Sequence, residues 1–81
     1  MKLLFTKRAL KDYNAFPPEL QALIDKQLES LLKNIRYPSL RVKKYDERRN
    51  IWQIRISLSH RLYFRIEGDT YVIITIMKHP K

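Results

Sequence analysis

The apolar positions of this chain change period near its midpoint. From Pro18 to about Arg36 they fall at Leu20, Leu23, Ile24, Leu28, Leu31 and Ile35, which is one stripe of an α-helix. Thr6 is placed to cap a shorter helix, Lys7 to about Asn14, whose apolar residues are Ala9, Leu10 and Tyr13. Phe16-Pro17-Pro18 separates the two, because proline disfavours helix in the residue before it yet fits the first turn of the next helix. An αα-hairpin follows. Ahead of it, Lys2 to Phe5 is a short apolar run suited to an edge strand.

Tyr37-Pro38-Ser39 ends the long helix, and a period of two then takes over. Runs near Leu40 to Tyr45, around Trp52, around Phe64 and from Tyr71 to His79 are rich in β-branched and aromatic residues, with turn-length gaps that allow only hairpin connections. Gly68 in Glu67-Gly68-Asp69-Thr70 supplies the positive φ that the last of these turns needs. Strict alternation assigns Trp52, Ile54, Ile56, Leu62, Phe64, Ile66, Val72, Ile74 and Ile76 to a buried face. The expected fold is α+β, a helical hairpin packed on one face of a small antiparallel β-sheet, with residues 1–81 forming one domain.

Charge gives the other face its meaning. The net charge is +9, and it is uneven: residues 1–40 hold seven Lys/Arg against four acids, residues 41–81 ten against four. A field of that sign draws in polyanions, of which nucleic acid, an anionic membrane and an acidic protein are the classes. The predicted solvent face gathers Arg41, Lys43, Tyr45, Gln53, Arg55, Arg61, Tyr63, Arg65 and Tyr71. Guanidinium forks suit phosphate oxygens and aromatic faces stack on unpaired bases, so single-stranded RNA fits better than duplex DNA. The chain has no cysteine, which excludes disulfides and thiolate metal sites and is compatible with the reducing cytoplasm. Its opening Met-Lys-Leu-Leu-Phe-Thr-Lys-Arg is interrupted by charge too early to target or to span a membrane.

Two histidines, no carboxylate cluster at ligand spacing and a single glycine leave neither a closed metal site nor a glycine-rich phosphate loop. Without metal or cofactor, the chemistry open to this surface is cleavage of RNA through its own 2′-hydroxyl, which needs a base, cations on the crowded phosphate and an acid for the leaving oxygen. Arg55, Arg61, Lys44 and His79 cover the cationic and acid roles; the base is open among Lys44, Asp46, Glu47 and His79. His60 reads as a polar turn residue in Ser57-Leu58-Ser59-His60.

The run Tyr37-Pro38-Ser39-Leu40-Arg41-Val42-Lys43-Lys44, then Ile51-Trp52, then His60-Arg61-Leu62-Tyr63-Phe64-Arg65-Ile66 and a strand ending at His79, resembles the RelE/ParE superfamily of bacterial type II toxin–antitoxin toxins. The resemblance spans nearly the whole chain and rests on the order of elements. It implies a cognate antitoxin that wraps the toxin and, for RelE-like members, ribosome-dependent cutting of messenger RNA that inhibits translation. Arg61 then matches the family's phosphate-contacting strand arginine, and His79 stands near a terminal catalytic position. Gln53 departs from the basic residue common at its position. The ParE-like branch, which poisons DNA gyrase, and a catalytically degenerate antitoxin-binding protein are the alternatives.

Overall fold

The computed structural model describes residues 1–79. Its elements run β1 (Lys2–Phe5), α1 (Lys7–Ala15), α2 (Pro18–Lys33), a 3₁₀ turn (Pro38–Leu40), β2 (Lys43–Asp46), β3 (Ile51–Arg55), β4 (His60–Glu67) and β5 (Thr70–Lys78). The five strands lie in the order β1-β5-β4-β3-β2. β2 to β5 form the expected antiparallel meander; β1 joins at the far edge and runs parallel to β5, so the sheet is mixed. The hairpin connecting β4 and β5 has Gly68 at φ 59 as the first of its two loop residues, where a type II′ turn favours glycine.

Helix α1 begins where Thr6 Oγ1 accepts from Ala9 N at 3.1 Å, and the same hydroxyl donates to Ile74 O at 3.0 Å, tying the helix start to β5. β1 reaches only as far as the partner of Ile73. Beyond that point Asp12, on α1, seals the strand edge: its carboxylate accepts from Ile76 N at 3.1 Å and from Thr75 Oγ1 at 2.7 Å. Helix α2 stops at Lys33, short of the predicted Arg36, because Asn34 turns extended (φ −165°, ψ 110°) and its side chain accepts from Arg36 N at 2.9 Å. Ile35 still packs on the core from the connection. The core proper holds Ile24, Leu28, Leu31, Leu40, Ile54, Leu62, Phe64, Ile73 and Ile76. Among the described residues no helix is long and apolar enough to cross a membrane.

One face assignment is overturned. Tyr63 pairs with Thr75 but Phe64 pairs with Ile73, so Ile74 is an extra residue, a β-bulge that inverts the alternation toward the start of β5. Ile76 remains inside, whereas Val72 shares a side with Arg65, and Ile73 and Tyr71 turn into the core. Tyr71 therefore leaves the predicted RNA-binding set. It is 5% exposed, its ring meets Phe64 edge-on at 5.5 Å, and burial pushes its hydroxyl pKa up.

Candidate nucleic-acid interface

The chemistry gathers at the end of the sheet where β3 turns into β4. Arg55 and Arg61 lie directly opposite each other across these strands. Like charges in that relation repel, so the pair is a cost to the fold that an anion can offset. The turn between them is tightly made: Ile56 and Ser57 N–H groups donate to His60 O, and Ser57 Oγ accepts from Ser59 N and His60 N at 3.2 and 3.1 Å. Arg61 leans on it through one nitrogen only, Nη1 donating to Ser57 O at 2.7 Å and to His60 O at 2.9 Å. The rest of its fork finds no protein acceptor among the described residues.

β5 brings a histidine to the same end. Met77 pairs with Arg61 and Lys78 with His60, and His79 N donates to Ser59 O at 2.6 Å, so pairing continues one residue past the strand. Alternation carried through Met77 sets His79 on the Arg61 side. Its Nδ1 is buried and has no hydrogen-bond partner among the described residues. His60 faces the other way, edge-on to Phe16 at 5.4 Å, with Nδ1 within 3.2 Å of Ser57 Oγ and 3.1 Å of Ser59 Oγ. Burial, and then the nearby Lys78 ammonium, hold its pKa below the ordinary value.

The structure does not bring Lys44 to this group. Lys44 pairs with Trp52, and Trp52 with Phe64, so all three share the core side of the sheet, opposite Arg61. The Lys44 ammonium sits 4.4 Å from the centre of the Trp52 ring and 3.9 Å from Glu47. Asp46 is likewise committed. It accepts from Arg49 Nε at 2.7 Å and from Arg49 N at 3.1 Å, and the guanidinium keeps its carboxyl below the usual range. Of the four candidate bases only His79 lies at the Arg55–Arg61 end of the sheet; Asp46, paired with Ile51, shares their face but sits at the far end of β3.

The RNA-contact candidates divide similarly. Arg41 lies beside Arg55 in a cleft, and Lys43 and Tyr45 are exposed on β2. Gln53 and Tyr63 occupy the expected face but are 4% and 5% exposed, sunk between their neighbours; Tyr45 covers Tyr63 with ring centres 4.7 Å apart. Burial first and the Tyr45 hydroxyl second raise the Tyr63 pKa. Arg65 is paired with Glu67 at 3.0 Å. No group of three metal-ligating side chains occurs among the described residues.

A family model for the ParE toxin of type II toxin–antitoxin systems matches residues 3–81. The chain belongs to that toxin family. No curated protein matches it in sequence. Solved structures show the same fold: a YoeB/ParE toxin from Agrobacterium tumefaciens at 19% identity, TM-score 0.83, covering 99% of this chain and 100% of that one. The Staphylococcus aureus YoeB–YefM complex aligns at 20% identity, TM-score 0.82, over 99% and 98% of the two chains. The isolated Escherichia coli RelE toxin aligns at 20% identity, TM-score 0.78, over 99% and 85%. The toxin is thus a ParE-family toxin of a type II toxin–antitoxin system, and it shares with these solved toxins an α+β fold, here two helices on a five-stranded sheet.

Sequence reasoning missed Gln27, a polar residue inside the apolar stripe of α2 that is 8% exposed. Its amide donates to Ser39 O at 3.1 Å and to Arg55 O at 2.7 Å, joining helix, 3₁₀ turn and β3. The signal was available, because a glutamine amide at a core position needs partners to be there.

Proposed function

We propose that the toxin is a ribosome-dependent messenger-RNA endonuclease of the cytoplasm, inhibiting translation until a cognate antitoxin covers it. The observation that carries this reading is the Arg55–Arg61 pair, two cations opposed across the strands with His79 on their side of the sheet. In the reaction the RNA 2′-oxygen bonds to the adjacent phosphorus as its proton passes to solvent. The bond to the 5′-oxygen breaks, and that oxygen takes up a proton, leaving a cyclic phosphate and a 5′-hydroxyl. Arg61 holds the scissile phosphate with its free guanidinium nitrogens, Arg55 stabilises the charge that builds on the equatorial oxygens, and His79 protonates the leaving oxygen. Lys44, on the opposite side, contributes to packing rather than to this step. Messenger RNA in the ribosome is single-stranded and held, so positioning and electrostatics are what the toxin adds. Arg41, Lys43 and Tyr45 contact the flanking strand. No metal or small-molecule cofactor and no membrane enters the scheme.

The antitoxin reading draws on the family, and on the solved S. aureus YoeB and E. coli RelE chains that occur in complexes with antitoxins. The deciding experiment is translation in vitro with purified toxin and mapping of messenger 5′ ends. Wild type cuts only with ribosomes present, and Arg61→Ala does not; intact messenger in both samples sinks the proposal. A second reading, poisoning of DNA gyrase, is favoured by the ParE description of the matching family. It has no need of His79, so growth arrest that survives His79→Ala together with gyrase-dependent DNA breaks selects it.

A further inference from the structure

We propose that α2 completes the RNA-binding surface, with Lys26 as a phosphate contact and Gln27 as a positioning residue in a second phosphate subsite beside the Arg55–Arg61 pair. The inference rests on the RNA reading and extends it from the sheet to the helical layer. Between α2, the 3₁₀ turn and the end of β3 lies an open cleft of about 500 Å³, lined by Lys26, Gln27, Ser39, Arg41, Arg55 and Ser57 among others. Three basic residues line it and no acidic residue does. None of the three takes part in an ion pair among the described residues, although Lys2, Arg8, Lys33, Lys44, Arg49 and Arg65 all do. Cations that converge without an acid raise the local potential, and a phosphodiester is the anion the proposed substrate supplies.

Two costly features fix the geometry of the cleft. Arg41 has left-handed backbone (φ 46°, ψ 48°), a conformation that strains a non-glycine residue and is kept only where its surroundings enforce it. Its N–H donates to Pro38 O, which locks the end of the 3₁₀ turn. Gln27 supplies the second constraint. By donating to Ser39 O and Arg55 O it sets the separation of the backbone segments that carry Arg41 and Arg55, and an apolar side chain there would leave both carbonyls without this partner. Lys26, the next residue along α2, is exposed at the mouth. A strand whose scissile phosphate sits on Arg61 passes Arg55 and then meets Lys26 and Arg41 with a neighbouring phosphate.

The test is binding of a fluorescent single-stranded RNA oligonucleotide to the purified toxin, with affinity followed between about 50 and 200 mM salt, where each phosphate neutralised contributes about 0.7 to the slope of log K against log salt. Lys26→Ala is expected to lower that slope by about 0.7, and Lys26→Arg to restore it. Gln27→Met keeps volume but removes both hydrogen bonds; it is expected to lower the slope by at least as much while circular dichroism shows the fold retained. Should Gln27→Met unfold, the exposed Lys26 pair of variants still decides the matter. An unchanged slope in Lys26→Ala, with Arg61→Ala reducing it, overturns the subsite and leaves the RNA reading standing. Absence of RNA binding by the wild type at the lowest salt overturns the subsite, and the ribosome-dependent reading then stands or falls on the translation experiment.

Discussion

The toxin has two clusters of basic residues, one at each end of β3, and they are built on opposite plans. At the β2–β3 end, Asp46 grips Arg49 and Glu47 lies near Lys44, whose ammonium also rests on Trp52. At the β3–β4 end, Arg55 faces Arg61 with no acid between them, and Lys26 and Arg41 add to the excess. Charge density along the sequence is similar in the two places. What differs is whether the counterion belongs to the chain. A compensated cluster stabilises its turn, and an uncompensated one keeps its cations for a ligand, which is why the second is the end we propose as functional.

Exchanging a cation in each cluster tests that contrast most sharply. Arg61→Ala removes the fork proposed to hold the phosphate and is expected to lower messenger cleavage about 10²–10³-fold, the usual effect of deleting one transition-state donor. Loss of growth arrest on induction accompanies it. The same substitution at Lys44 is expected to leave cleavage within about threefold and to cost no more than about 1 kcal/mol in denaturant unfolding, from the ring contact and a screened surface pair. A strong loss of cleavage in Lys44→Ala at unchanged stability returns Lys44 to the active surface and breaks the comparison.

The contrast also marks what the sequence could disclose. The helical hairpin was legible because α2 repeats its apolar stripe over several turns, and the meander because its runs are β-rich and its gaps short. Arg55 and Arg61 were legible as members of one face; their direct opposition was not, since the four residues between β3 and β4 leave the register open. Lys44 was misplaced on its charge alone, since alternation with Lys43 and Tyr45 already sets it on the other side of β2, where the structure pairs it with Trp52. The bulge at Ile74 hid Tyr71, because one extra residue in β5 exchanges the two faces without any glycine to announce it. Gln27 and Asp12 escaped for a different reason. Their partners are in distant segments, 28 residues away for Gln27 with Arg55 and 64 for Asp12 with Ile76; the apolar stripe shows that Gln27 needs partners, but no local pattern names them.

Asp12 offers a test of intermediate size, at the β5 edge that positions His79. Asp12→Ala leaves Ile76 N–H and the Thr75 hydroxyl without their acceptor and is expected to cost about 1–3 kcal/mol in urea unfolding. Asp12→Asn retains an acceptor oxygen and is expected to recover part of the loss. Equal stability of all three proteins shows that solvent satisfies this edge unaided, and that Asp12 holds nothing in place.

The smallest effect concerns pH, and it distinguishes the two ends by the charge each tolerates. His60 lies at the uncompensated end, where burial and Lys78 disfavour its protonated form. Its folded pKa is therefore below the unfolded value near 6.5, and the unfolded chain binds the proton first as pH falls. Stability is fully present above about pH 6.5, declines below it, and levels off once the folded state is also protonated. Asp46, at the compensated end, changes stability in the same direction but further into acid: its lowered pKa contributes stability that is present above the usual carboxylate range and is lost only at lower pH. Urea midpoints measured from pH 7.5 down to pH 5 should thus fall for the wild type and stay flat in that window for His60→Gln. A wild-type midpoint that rises on acidification means that an acid lies close enough to His60 to favour its charge, and the end of the sheet read here as uncompensated already carries its own counterion.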